Sequence, residues 1–145
     1  MPAIIFPGQG SQYLEMTMDF NKNFTISREI FQKIEDITKI DIRKIISKNE
    51  NDQLNQTNYT QIAIFASSTV IYETIVNEFG LKNINPEVVL GHSLGEYSAL
   101  VANSSLSIHN ASKLIKLRGE LMNSAIAPNT SGMAAILGKN CEFIE

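Results

Sequence analysis

Gly91, Ser93 and Gly95 stand at alternate positions in the run GHSLGEYSAL, directly after the apolar triplet Val88-Val89-Leu90. No other feature restricts the fold of this chain as much. The triplet reads as a short buried strand, and the residues from Leu94 to about Ala102 suit a helix. A chain that passes from strand to helix across G-x-S-x-G turns so sharply that the serine takes strained backbone angles. Side chains two residues to either side would collide with that turn, so both positions call for glycine. The serine hydroxyl is thereby presented at a helix N-terminus, where free N–H groups and the helix dipole favour a developing oxyanion. The same five residues also suit an ordinary strand-to-helix turn with a capping serine. The apolar run before them and the helix-compatible run after them favour a nucleophile.

The rest of the chain alternates short apolar runs with helical patterns. Ala3 to Phe6 reads as a strand, stopped by the loop Pro7-Gly8-Gln9-Gly10-Ser11-Gln12. Helical stretches are expected at about Tyr13–Phe20, Ile26–Ile37 and Asp41–Ile46, and the polar, Asn-rich stretch Asn49–Asn58 reads as a loop. The longest periodic segment runs from about Tyr59 to Phe79. Its apolar positions spread until the helix is buried on most sides, and Gly80 closes it. A further helix is expected from about His109 to Ile126, then a break at Pro128–Gly132 and a strand over Met133–Leu137. Short apolar strands between helices predict an α/β domain with a parallel sheet.

Composition narrows the function. With 145 residues, 43% of them hydrophobic and 19% charged, the chain is long enough for one domain with a proper core and is not of a disordered type. A net charge of −3 without a basic cluster argues against nucleic acid and anionic membrane as partners. The single cysteine, Cys141, excludes an internal disulfide framework. No apolar stretch reaches membrane-spanning length, and the N-terminal MPAIIFPGQG lacks the basic and hydrophobic regions of a signal peptide. A cytoplasmic protein is the expectation.

The loop after the first strand supplies a second motif. Loops of this kind gather at the carboxyl ends of strands, where ligands bind in open α/β sheets. It carries G-x-G, but Tyr13 stands where a dinucleotide fingerprint has its third glycine, so a phosphate loop is a weak reading. The better one pairs this loop with the serine turn. An oxyanion hole needs two donors, and the residue after the nucleophile, Leu94, supplies only one N–H.

Together these pieces resemble the malonyl-CoA:acyl carrier protein transacylases and the acyltransferase domains of polyketide synthases. The matching residues are FPGQGSQ at 6–12, Thr60 to Ala63, GHSLGEYSAL at 91–100, LRGELM at 117–122 and GMAAILG at 132–138. The resemblance implies a hydrolase-like α/β core with a nucleophile elbow. Ser93 would accept the acyl group, and the main-chain N–H groups of Gln9 and Leu94 would form the oxyanion hole. Arg118 would hold the free carboxylate of malonate through its guanidinium fork, a task a lysine would do less well. Gln61 and His92 would line the acyl pocket. Malonyl-CoA and acyl carrier protein would be the substrate and partner, with no metal and no bound cofactor. A serine hydrolase, or a non-catalytic remnant, are the alternatives.

Two positions depart from the family pattern. Glu15 stands where a glycine is usual, and Ile62 where a proline is usual. A serine nucleophile also needs a general base. Of the two histidines, His92 adjoins Ser93 and is expected to point away from it, and His109 is expected near a helix end. The resemblance places the base histidine beyond a small ferredoxin-like subdomain. Residues 1–127 are therefore expected to be the N-terminal part of the acyltransferase core. Residues 128–145 are expected to be a linker and the first strand of that subdomain, truncated there, with the C-terminal part of the fold missing as a partner.

Overall fold

The computed structural model describes residues 2–125, together with Ile136 and Gly138. Strand β1 (Ala3–Phe6) is followed by α1 (Met18–Asn23), α2 (Thr25–Thr38), α3 (Ile42–Lys48) and a 3₁₀ segment (Glu50–Asn55). Then come α4 (Thr57–Phe79), the single turn α5 (Leu81–Ile84), β2 (Val88–Gly91), α6 (Gly95–Ala102) and α7 (Ile108–Ser124). β1 and β2 pair in parallel, from Ala3 beside Val88 to Phe6 beside Gly91. The α/β class with a small parallel sheet is thus as expected.

Helix α4 is the axis of the molecule. Every residue from Thr60 to Val70 is buried, as a helix apolar on nearly all sides must be. Helices α2, α3, α6 and α7 pack around it. Phe31, Ile34, Ile42, Ile46, Phe65 and Ile115 are fully enclosed between them. Burying a side chain of this size is worth roughly 1.5–3 kcal/mol, so this cluster dominates stability. Some of the hydroxyls that enter it are paired, Thr69 Oγ1 donating to Phe65 O (2.8 Å) and Ser27 sharing a hydrogen bond with Thr74 (2.8 Å), whereas Ser67 Oγ and Ser98 Oγ have no partner among the described residues.

The sheet is thinner. Ile4, Phe6 and Val89 turn toward α4 and α6, meeting Tyr72, Val76, Ala99 and Ala102. On the opposite face Ile5, Val88 and Leu90 are exposed, Ile5 at 70%.

Several boundaries differ from expectation. The helix expected at Tyr13–Phe20 starts only at Met18, because Glu15 and Thr17 have φ of 61° and 66°, which an α-helix cannot contain. Glu15 N–H instead donates to Ile46 O at 2.9 Å, tying the segment to α3. The Asn-rich stretch is not wholly irregular. It folds into the 3₁₀ segment, with Asn51 and Asp52 left-handed. α4 begins at Thr57, two residues earlier than expected, and α5 was too short to show any period. α7 starts at Ile108, capped by Ser107 Oγ accepting from Asn110 N–H at 3.2 Å. The strand expected over Met133–Leu137 and the division at residue 128 lie outside the described residues, Ile136 and Gly138 aside.

Among the described residues, no helix is long and apolar enough to cross a membrane.

Candidate active site

β2 delivers the chain to the sharp turn. His92 N–H still donates to Phe6 O (3.0 Å), continuing the sheet for one residue past Gly91. Ser93 then takes φ 55°, a left-handed conformation that a serine adopts only under constraint. Leu94 is already helical, and the turn closes through Gly95 N–H to His92 O (2.9 Å) and Glu96 N–H to Ser93 O (3.1 Å).

Both flanking glycines are sterically required. A Cβ on Gly91 would lie 2.0 Å from the Gly95 carbonyl carbon, and one on Gly95 would lie 2.4 Å from Phe6 O. The closest clashes are therefore between the strand, the helix start and the end of β1, in keeping with the turn being too tight for a side chain at either position.

The loop after β1 reaches the same point. A Cβ on Gly8 would sit 2.6 Å from His92 Nδ1 and 2.7 Å from His92 O, so this loop lies directly against the turn. Gln9 follows Gly8, and its side chain donates to Thr57 Oγ1 at 3.2 Å. Among the described residues, neither the Gln9 N–H nor the Leu94 N–H is given to an acceptor. The Leu94 side chain is fully buried, which anchors the start of α6.

Arg118 arrives from α7. Its Nη2 donates to Ser93 Oγ at 3.0 Å and its Nη1 to Gln61 Oε1 at 2.6 Å. Gln61 is fully buried on α4, and its Nε2 donates to Met122 Sδ at 3.0 Å. The guanidinium carbon lies 6.0 Å from the centre of the Tyr97 ring. Ion pairs among the described residues join Lys22 to Asp19, Arg43 to Glu35, Lys44 to Glu50 and Lys116 to Glu120, and leave Arg118 without a carboxylate. A half-buried guanidinium that spends its donors on a serine and an amide has the capacity to take an anion.

Gly119 makes this approach possible. A Cβ there would lie 3.0 Å from the Cα of Asn58, so α7 sits tightly against the start of α4 and carries Arg118 to Gln61. Gly119, Tyr97 and Met122 lie in the motifs the sequence offered, but no role at the site was expected of them. A glycine inside a helix costs about 1 kcal/mol against alanine, and that cost was the available signal for close packing at Gly119.

Neither histidine serves Ser93 here. Among the described residues, Ser93 Oγ takes its hydrogen bond from Arg118 and none from His92 or His109. His92 is exposed and lies against Gly8, and His109 is exposed in the first turn of α7. Among the described residues, no group of three or more His, Cys, Asp or Glu is placed to hold a metal ion.

The acyl transferase domain family model matches residues 3–143. A malonyl CoA-acyl carrier protein transacylase of Haemophilus influenzae is 40% identical over 142 residues, 98% of this chain and 45% of that protein. The crystal structure of an acyl carrier protein S-malonyltransferase from Vibrio cholerae superposes with a TM-score of 0.80 at 37% identity, covering 88% of this chain and 41% of that one. A solved complex of a type II polyketide acyl-carrier protein with its malonyl-transacylase gives a TM-score of 0.79 at 36% identity, over 86% of this chain and 40% of that one. The chain thus spans less than half the length of these proteins.

Proposed function

This chain belongs to the acyl transferase domain family, and on that premise we propose that it carries the acyl-accepting half of a malonyl transferase site, with Ser93 as nucleophile. The observation that bears most weight is the pair of hydrogen bonds that aim Arg118 at Ser93 Oγ and brace it on Gln61. The strained serine between two obligatory glycines supports reading the turn as a nucleophile elbow of the hydrolase-like kind.

In the proposed reaction Ser93 Oγ attacks the thioester carbonyl of malonyl-CoA and gives up its proton. The tetrahedral oxyanion is held by the Gln9 and Leu94 N–H groups, each such donor being worth about 3 kcal/mol. The carbon–sulfur bond then breaks, coenzyme A leaves as the protonated thiol, and malonyl remains as an ester on Ser93. The phosphopantetheine thiol of acyl carrier protein attacks that ester, its sulfur takes the malonyl group, and the proton returns to Ser93. No described residue supplies the base for either proton transfer.

Arg118 sets the selectivity. The carboxylate of malonate competes for its Nη2 and receives a two-pronged, charge-assisted pair. Gln61 keeps the guanidinium oriented while this happens, and Gln61 and His92 border the acyl group. An acetyl group offers nothing to the half-buried cation, so the cost of leaving that cation without a carboxylate falls on the wrong substrate.

Arg118→Ala in the malonyl-transferring enzyme should lower the malonyl rate on the order of a hundredfold, the cost of one lost charge-assisted pair. Acetyl transfer should fall far less. Equal losses for the two acyl groups would contradict the carboxylate role, and release of free malonate with no transfer to a carrier thiol would favour a hydrolase.

A further inference from the structure

The Asn-rich stretch before α4 has no place in the chemistry described so far, yet its hydrogen bonds run toward the active site. Gln9 Nε2 donates to Thr57 Oγ1 at 3.2 Å. Gln12 Nε2 donates to Asn55 Oδ1 at 3.0 Å, and Gln12 Oε1 accepts from Gly10 N–H at 2.9 Å. Asn55 Nδ2 is itself held by Asp52 Oδ1 at 2.7 Å, which also accepts from Asn49 Nδ2 at 3.2 Å. The chain of contacts therefore runs from Asp52 through Asn55 and Gln12 to the main chain at Gly10.

The loop needs such support. Gly10 has φ 103° and meets nothing within 4 Å on the side a Cβ would occupy, so packing does not fix it. Besides the Gly10–Gln12 bond, the hydrogen bonds within the loop are Ser11 Oγ to Gly8 O (2.8 Å) and a long Ser11 N–H to Gly8 O (3.4 Å). A donor that must meet an oxyanion has to be in place before the charge develops, and every degree of looseness is lost catalysis. The Asn-rich segment also pays in backbone strain for the shape it holds, with Asn51 and Asp52 at φ 53° and 56°.

We infer that this segment is a clasp for the oxyanion loop, in which Thr57 and Asn55 are positioning residues that hold the Gln9 main-chain N–H against the Ser93 turn. The inference rests on the acyl-serine reading above for its catalytic consequence, and on the hydrogen bonds alone for the clasp. Neither residue touches the reacting atoms. Each acts through a glutamine of the loop.

The test uses the 145-residue chain and a phosphonofluoridate that captures nucleophilic serines. Thr57→Val and Asn55→Leu should each slow the maximal labelling of Ser93 about fivefold, as expected for one lost hydrogen bond. The probe concentration for half-maximal rate should stay unchanged. Thr57→Ser, which keeps the hydroxyl, should restore the rate. Gln12→Leu removes both the Asn55 bond and the Gly10 acceptor, and should slow labelling at least as much as Asn55→Leu even if the latter disturbs folding. The Gly10 amide proton, followed by NMR, should exchange faster in both. Unchanged labelling in Thr57→Val and Gln12→Leu would overturn the positioning role, and an unchanged Gly10 amide in Asn55→Leu, which keeps the Gln12 acceptor, would overturn the clasp. Absence of labelling in the unmodified chain would instead sink the acyl-serine reading, while the Gly10 amide still decides the clasp.

Discussion

Around α4 the molecule is built from side chains, and at the ends of β1 and β2 it is built from backbone. Phe65, Ile62 and Ala63 are fully buried within one apolar cluster. Ser93, by contrast, is exposed, and the turn that carries it is shaped by glycines so crowded that two main-chain segments nearly touch. Burial is tolerant of shape and expensive to lose. Backbone contact is intolerant of a single methyl group and contributes little to stability. The two regions should therefore answer differently to mutation, the first through stability and the second through reactivity.

The largest effect belongs to the helical core. Phe65→Ala should cost about 4 kcal/mol of unfolding free energy, read by chemical denaturation, because the ring leaves a cavity that neighbours on four helices cannot fill. Ser93 in the fraction that stays folded should still be labelled at the normal rate. A labelling defect in excess of the unfolded fraction would blur the division.

Next comes the turn. Gly91→Ala places a methyl group where the Gly95 carbonyl stands, so the strand and helix start must separate and Ser93 must move. Labelling of Ser93 should fall on the order of a hundredfold, the usual consequence of displacing a reacting group by about an ångström. The denaturation midpoint should shift less than in Phe65→Ala. If Gly91→Ala unfolds the protein outright, the turn is a pillar of the fold and the contrast fails.

The smallest effect sits between the two regions. Glu15 is exposed, at φ 61°, a conformation that favours glycine, and its N–H is anchored on α3. Glu15→Gly relieves the left-handed strain, offset in part by the added freedom of the unfolded chain. A gain of about 0.5–1 kcal/mol is expected from these opposing terms, with no change in labelling. A loss of stability would mean that the carboxylate makes a contribution the backbone geometry does not reveal.

The sequence was most legible where a rule admits few residues. Gly91 and Gly95 flanking a serine after an apolar triplet could hardly mean anything but a tight strand-to-helix passage, and the left-handed Ser93 follows. α4 was legible because Ile62, Phe65, Thr69, Tyr72 and Val76 keep one period over about four turns. Arg118 was not legible from its surroundings. On the residues alone it was a solvated helix position, and only the resemblance singled it out, because what places it against Ser93 is the close crossing of α7 on α4 at Gly119, a contact between distant segments. The start of α1 was misread for a related reason. Tyr13 to Phe20 contains neither glycine nor proline to stop a helix, but the Glu15 N–H is drawn to Ile46 in α3, and no local pattern announces that. The Asn-rich stretch looked like a loop because its order comes from side-chain amides, which carry no periodicity.

One experiment reaches the central claim without detour: incubate the chain with malonyl-CoA, digest it, and locate the acyl group by mass. The account predicts a malonyl ester on Ser93, absent in Ser93→Ala and formed faster as pH rises, since solvent must accept the proton that no described residue takes. An unmodified Ser93, or acyl groups scattered over lysines, would contradict it.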